Sequence, residues 1–167
     1  DGTSIDAGSG QVFLSTDGNI TLSTITTTNA ANPSIDVQSD SGSISDNTAA
    51  ETANLTTAAG GSVVLRAATG IGNAGVDDED IDVATGLLAA TTATGDISIQ
   101  DDGALDITTV DGLNGVSITT GGAGDDVLLR DGTAGGNENL RILQPITNVG
   151  SGNVTVFADG NSSVDEL

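Results

Sequence analysis

The chain has 167 residues, 24 of them acidic against three arginines, for a formal net charge of −21, and it holds no Cys, His, Lys, Met, Trp or Tyr. Arg66, Arg130 and Arg141 are too few and too scattered to displace counterions from a nucleic acid, and an anionic membrane surface would repel the chain. No run of about 18 apolar residues could span a bilayer, and without His, Cys, Lys or Tyr the usual catalytic bases and nucleophiles are missing.

The apolar content is almost entirely Val, Ile, Leu and Ala, with Phe13 and Phe157 the only aromatics. That suits a narrow interior of thin aliphatic layers, because a wide core usually needs the bulk of aromatic rings. One phrase recurs along the chain: a turn residue, usually Gly, then a short alternating strand. It opens with GQVFL (10–14) and GNITL (18–22), continues loosely in PSIDV (33–37) and GSIS (42–45), and returns as GSVVL (61–65). The stretch 67–78 (AATGIGNAGVDD) reads as a loop that leaves the repeat outline before EDIDV (79–83) resumes it. LLAATTATG (87–95) comes nearest to a helical pattern, but its threonines and flanking glycines oppose even one helical turn. Then come GDISI (95–99), GALDI (103–107), GVSIT (115–119), DDVLL (125–129), ENLRI (138–142) and GNVTV (152–156). Alternation with period 2 turns Ile20 and Leu22 inward and Asn19 and Thr21 outward; Ile97 and Ile99 obey the same rule. Between strands lie Gly, Asn, Asp, Ser and Thr, which tolerate left-handed backbone or cap turns with their own side chains.

Spacing selects among all-β architectures. Ile97 to Leu105 is 8 residues and Leu105 to Val116 is 11, so skipping one strand gives 19. A coil of about 20 residues with two or three short strands is the unit of a parallel β-helix. The expected fold is therefore all-β, a single β-solenoid segment over 1–167, with about eight coils and a length of roughly 40 Å. An antiparallel sandwich or barrel also repeats its strands every 8–12 residues or so. Asp-Gly pairs at 17–18, 102–103, 111–112, 131–132 and 159–160 would suit its hairpins. The near-absence of aromatics favours stacked aliphatic ladders instead.

The runs GSVVLRAATGIGNAG (61–75) and GLLAATTATGDISIQDDGALDITTVDGLNGVSITTGG (86–122) resemble filamentous-haemagglutinin-like adhesins, long bacterial surface proteins with degenerate repeats of about 20 residues. The likeness extends over nearly the whole chain, and its motif, Gly-x-apolar-x-apolar, is a signature of fold rather than of activity. It implies a right-handed parallel β-helix serving as a shaft or fibre segment of a secreted surface adhesin or extracellular filament, without catalysis. The family's amino-terminal secretion domain is not seen. The chain opens at Asp1 without Met, so it reads as a processed product or a piece of something longer. With no cap apparent near Asp1 or Leu167, neighbouring repeats or a second subunit are expected to stack end to end, and a host-cell or matrix surface is the expected outer partner.

Two clusters are candidate calcium sites. GGAGDDVLL (121–129) fits the calcium nonapeptide, with Gly121, Gly122, Gly124, Asp126 and Leu128 in place. A β-roll shares each ion between adjacent turns, and 130–138 (RDGTAGGNE) does not repeat the pattern. Register separates the readings: the roll buries Leu128, whereas the strand phrase buries Val127 and Leu129. The second cluster is Asp77, Asp78, Glu79 and Asp80, with Asp82 close behind, which is either a weak Ca2+ site of hard oxygen ligands or a solvated acidic loop. The rival enzymatic reading is a β-helical polysaccharide-cleaving enzyme. It would need two of Asp96, Asp101, Asp102 and Asp106 facing one groove about 5–10 Å apart. Sequons begin at Asn19, Asn54, Asn153 and Asn161.

Overall fold

The computed structural model of the chain describes residues 3–48, 52–76, 79–131 and 139–158. The chain enters as β1 (Ser4–Asp6) and then winds between two facing sheets. On sheet II lie β2 (Val12–Thr16), β5 (Ile35–Ser39), β8 (Ser62–Ala67) and β10 (Leu87–Thr92). Each is succeeded by a turn and a return along sheet I. The first return is split into β3 (Ile20–Leu22) and β4 (Thr24–Thr26), the second into β6 (Ile44–Asp46) and β7 (Leu55–Thr56). The third comprises Ile71, which bridges the rungs on either side, and β9 (Ile81–Ala84); the fourth is the unbroken β11 (Ile97–Asp101). Next come β12 (Leu105–Ile107), an excursion formed by β13 (Thr109–Val110) and β14 (Leu113–Asn114), and β15 (Val116–Ile118). The path closes with β16 (Val127–Asp131), β17 (Leu140–Ile142), β18 (Ile146–Asn148) and β19 (Val154–Ala158). Apart from β13–β14, every ladder among the described residues is parallel, and the whole is a β-solenoid of about five turns.

The alternation read from the sequence becomes columns of stacked side chains. On sheet I the register places Ile20, Ile44, Ile71, Ile97, Val127 and Val154 one above another. On sheet II, Val12, Ile35, Val63, Leu88, Ile107 and Ile142 form one column, and Leu14, Val37, Leu65, Ala90, Val116 and Ile146 the next. Apart from the end residues Ile142 and Val154, the two sheets pack these columns against each other in a single aliphatic cluster. Each fully buried Val, Leu or Ile contributes about 1.5–3 kcal/mol relative to exposure. The two phenylalanines stand on outward positions, 66% and 55% exposed, so the core contains no aromatic ring.

The expectation of about eight coils fails because neighbouring strand phrases belong to opposite sheets. Ile5, Ile25, Leu55 and Val83 share a column, so one circuit takes 20, 30 and 28 residues. Splitting sheet I into two short segments lengthens each coil, and about five turns rise only roughly 24 Å. Nor is 67–78 wholly outside the outline, since Ile71 occupies its rung with no solvent exposure. The segment 87–92 is strand throughout, as β-branched and small residues pack well between the flanking rungs.

One Asp-Gly pair does form a hairpin. At Asp111 and Gly112 φ is 47° and 75°, the two positive values that a two-residue type I′ turn requires. β10 pairs with β12 through Leu87 and Leu88, and with β15 from Ala90 onward. Residues between these rungs are displaced outward as the hairpin. Its Val110 and Leu113 cover Val64 and Ala89 on the outer face of sheet II, making a second small core. At the re-entry point Gly115 has φ 65° and its Cα lies against the Pro145 carbonyl, so no side chain fits there.

Candidate functional site

The polar side chains that stood out in the sequence lie mainly at the turns, where they accept backbone N–H groups from adjoining coils. At the position before the Ile20–Val154 column of sheet I, Asn19 Oδ1 accepts from the Ser43 N–H at 3.0 Å. Further along, Asp96 Oδ1 accepts from the Asp126 N–H at 2.8 Å, and Asp126 Oδ1 from the Asn153 N–H at 2.6 Å. Asp125 Oδ2 reaches back to the Gly95 N–H at 2.9 Å. A parallel stack leaves turn N–H groups without strand partners, and these oxygens supply them.

The calcium candidates fall within this pattern. Gly122, Gly124 and Asp126 sit in the turn that precedes β16; the Gly122 carbonyl accepts from the Ser151 N–H, and Gly124 adopts φ 88°. The inward register is that of the strand phrase, since Val127 and Leu129 join the main core; Leu128, on the opposite face of β16, is buried as well, 8% exposed. Asp80 is 2% exposed and faces Arg130 at 3.6 Å, which is an ion pair across coils rather than a solvated loop position. Asp77 and Asp78 lie outside the described residues. Among the described residues, no three acidic side chains converge closely enough to hold a metal ion.

The carboxylates considered for sugar cleavage do not share a groove. Asp101 points into the interior with no solvent exposure, Asp102 is exposed at the turn, and Asp96 holds the opposite turn. Asp106 lies on the outer face of sheet II, bound by the Arg141 guanidinium through both carboxylate oxygens. Each arginine reaches an acid on another coil: Arg66 holds Asp36 at 2.9 Å and Asp111 at 2.8 Å, tying the hairpin to the stack. Burial raises the Asp36 carboxyl, and the adjacent Arg66 opposes that rise.

Two polar features have places in the fold that the sequence reading did not assign. Asn54 begins a sequon, yet it is wholly buried. Its amide donates to the Ser23 carbonyl and to Asp46, and its Oδ1 accepts from the Asp82 N–H, so it links three coils. The other feature is a pair of acids in an apolar column. Ile5, Ile25, Leu55 and Val83 are succeeded there by Asp101 and Asp131, both without solvent exposure. Asp101 accepts from the Gly103 N–H at 2.8 Å and the Thr85 N–H at 3.3 Å. Burial pushes Asp101 up to about 7; those two hydrogen bonds oppose the rise, while Asp131 and Asp102 add to it. The signal lay in the alternation itself, since residues 97, 99 and 101 share a face, as do 127, 129 and 131.

Comparison with protein-family models, with curated proteins and with solved structures finds no match to this chain in any of the three. No helix among the described residues is long and apolar enough to cross a membrane.

Proposed function

We propose that the chain is a shaft segment of a secreted bacterial surface adhesin or extracellular filament, with a structural role and no catalysis. The observation that carries this reading is where the side chains are spent. Aliphatic residues build continuous columns through both sheets, and the described turn acids and arginines join one coil to another. A binding or catalytic protein concentrates unusual polar groups in one concave place, whereas these are distributed along the stack.

Apolar column residues stand open at both edges of the described residues: Ile5 is 48% exposed at one edge, and Val154 and Val156 are 47% and 39% exposed at the other. A further coil, of the same polypeptide or of a second subunit, would cover them and complete the parallel ladders. The charge of −21 would keep neighbouring shafts apart until cations screen it, and a host-cell or matrix surface is the partner the shaft would face. The test is immunogold electron microscopy of the producing cells with an antibody against this chain. Gold along thin surface projections or released fibres is the expected result; gold confined to the cell interior would overturn the proposal.

A further inference from the structure

We propose that Asn114 is a site of spontaneous deamidation whose rate is set by opening of the β13–β14 hairpin, so that this excursion is where the chain ages chemically. Of the asparagines in the sequence, only Asn114 is followed by glycine. Gly115 has no Cβ, which leaves its peptide nitrogen the least hindered to attack the Asn114 side-chain amide. The N–Cγ bond forms and the Cγ–Nδ2 bond breaks, and the peptide proton leaves as part of ammonia. Water then opens the succinimide ring to aspartate or, with an extra carbon in the main chain, to isoaspartate. Asn114 is exposed to that water.

The closed hairpin opposes each step of that ring closure. Asn114 stands in β14, paired with Thr109, and extended backbone keeps the next peptide nitrogen turned away from the side chain. The Thr109 hydroxyl donates to Asn114 Oδ1 at 2.7 Å, which holds the amide across the hairpin. The nucleophile is engaged as well. The Gly115 N–H donates to the Thr108 carbonyl at 3.0 Å, and the Gly115 carbonyl accepts from the Ala90 N–H at 3.0 Å. With φ 65° and its Cα against the Pro145 carbonyl, Gly115 has no room to turn while the hairpin base is closed.

Whatever opens the hairpin therefore exposes the site. Arg66 holds its tip, reaching Asp111 at 2.8 Å and Asp36 at 2.9 Å, and Asn32 Oδ1 accepts from the Asp111 N–H at 2.9 Å. Val110 and Leu113 hold its underside against Val64 and Ala89. The rung continues on either side, from Leu88 to β12 and from Ala90 to β15, so residues 109–114 can lift without unstacking a coil. Isoaspartate at 114 would lengthen the main chain where Gly115 meets Thr108, Ala90 and Pro145, and the hairpin could not close again in register.

The test incubates the unmodified chain at about pH 8, folded and unfolded in urea, and follows mass gain and isoaspartate at Asn114 by peptide mapping. Local opening predicts the product in both, formed at least about tenfold more slowly in the folded chain. Arg66→Ala should raise the folded rate about threefold or more and speed exchange of the Gly115 amide by the same factor, because both pass through the open hairpin. Asn114→Gln, which would have to close a larger and slower-forming ring, should remove the signal. Equal rates in the folded and unfolded chains would overturn control by the hairpin, and an Asn114 that stays intact in urea would overturn the site itself. An Arg66→Ala chain that folds yet deamidates at the wild-type rate would equally refute the coupling. Where that variant fails to fold, the comparison of folded and unfolded wild type decides.

Discussion

Asp126 illustrates how a single acidic side chain works in this molecule. Its carboxylate takes the Asn153 N–H of the next coil, while its own N–H is held by Asp96 of the preceding one. A charge-assisted hydrogen bond to a backbone donor is typically stronger than a neutral one. Asp126→Ala is therefore expected to destabilise the chain by about 1–3 kcal/mol in urea unfolding, whereas Asp17→Ala, whose exposed side chain lies at another turn, should stay within about 0.5 kcal/mol. Gly95 sets a steric limit of the same kind. Its φ is 77° and a Cβ would collide with the Thr69 carbonyl of the coil beneath, so Gly95→Ala should cost about 1–3 kcal/mol. Equal midpoints for the glycine and alanine forms would show that this turn has room the packing denies.

At the scale of elements, the columns and the hairpin make separate predictions. Leu65 lies in the middle of its column with no solvent exposure, so Leu65→Ala should cost about 2–5 kcal/mol. Val156, at the outermost described rung and 39% exposed, should lose less than about 1 kcal/mol on the same truncation. Arg66→Ala removes the clamp on Asp36 and Asp111 and should speed amide exchange in β13 and β14 while leaving β8 protected. Loss of protection throughout sheet II would instead make the hairpin part of the main cooperative unit. Much of this architecture was legible in the residues: the Gly-x-apolar-x-apolar phrase marks the long strands, and its period of 2 assigns Ile97 and Ile99 inward. Coil length was not legible, because no local signal says that GNITL belongs to sheet I and GQVFL to sheet II. The short strands β4 and β7 were missed for a related reason, since each carries one inward apolar residue, Ile25 or Leu55, and one residue cannot display a period. Five Asp-Gly pairs look alike in sequence, and the observed hairpin at 111–112 is held by the packing of Val110 and Leu113 over Val64 and Ala89. Of the candidate site residues, Asp126 and Asp80 were conspicuous, but their roles depend on partners 27 and 50 positions away, Asn153 and Arg130.

For the whole molecule, stability is a sum over stacked coils and their interfaces, opposed by the mutual repulsion of 24 acidic residues. Raising sodium chloride from about 0.05 M to 0.5 M shortens the Debye length from roughly 14 Å to 4 Å, and thermal unfolding should move to higher temperature as a result. The measurement that bears most directly on a structural shaft is single-molecule stretching of the chain, tethered at its two ends. Coil-by-coil cohesion predicts successive release events, each freeing about 20–30 residues, or roughly 70–100 Å of extended chain. Release of the entire contour in a single event, repeated over many molecules, would contradict a stack held rung by rung and would point to one indivisible core.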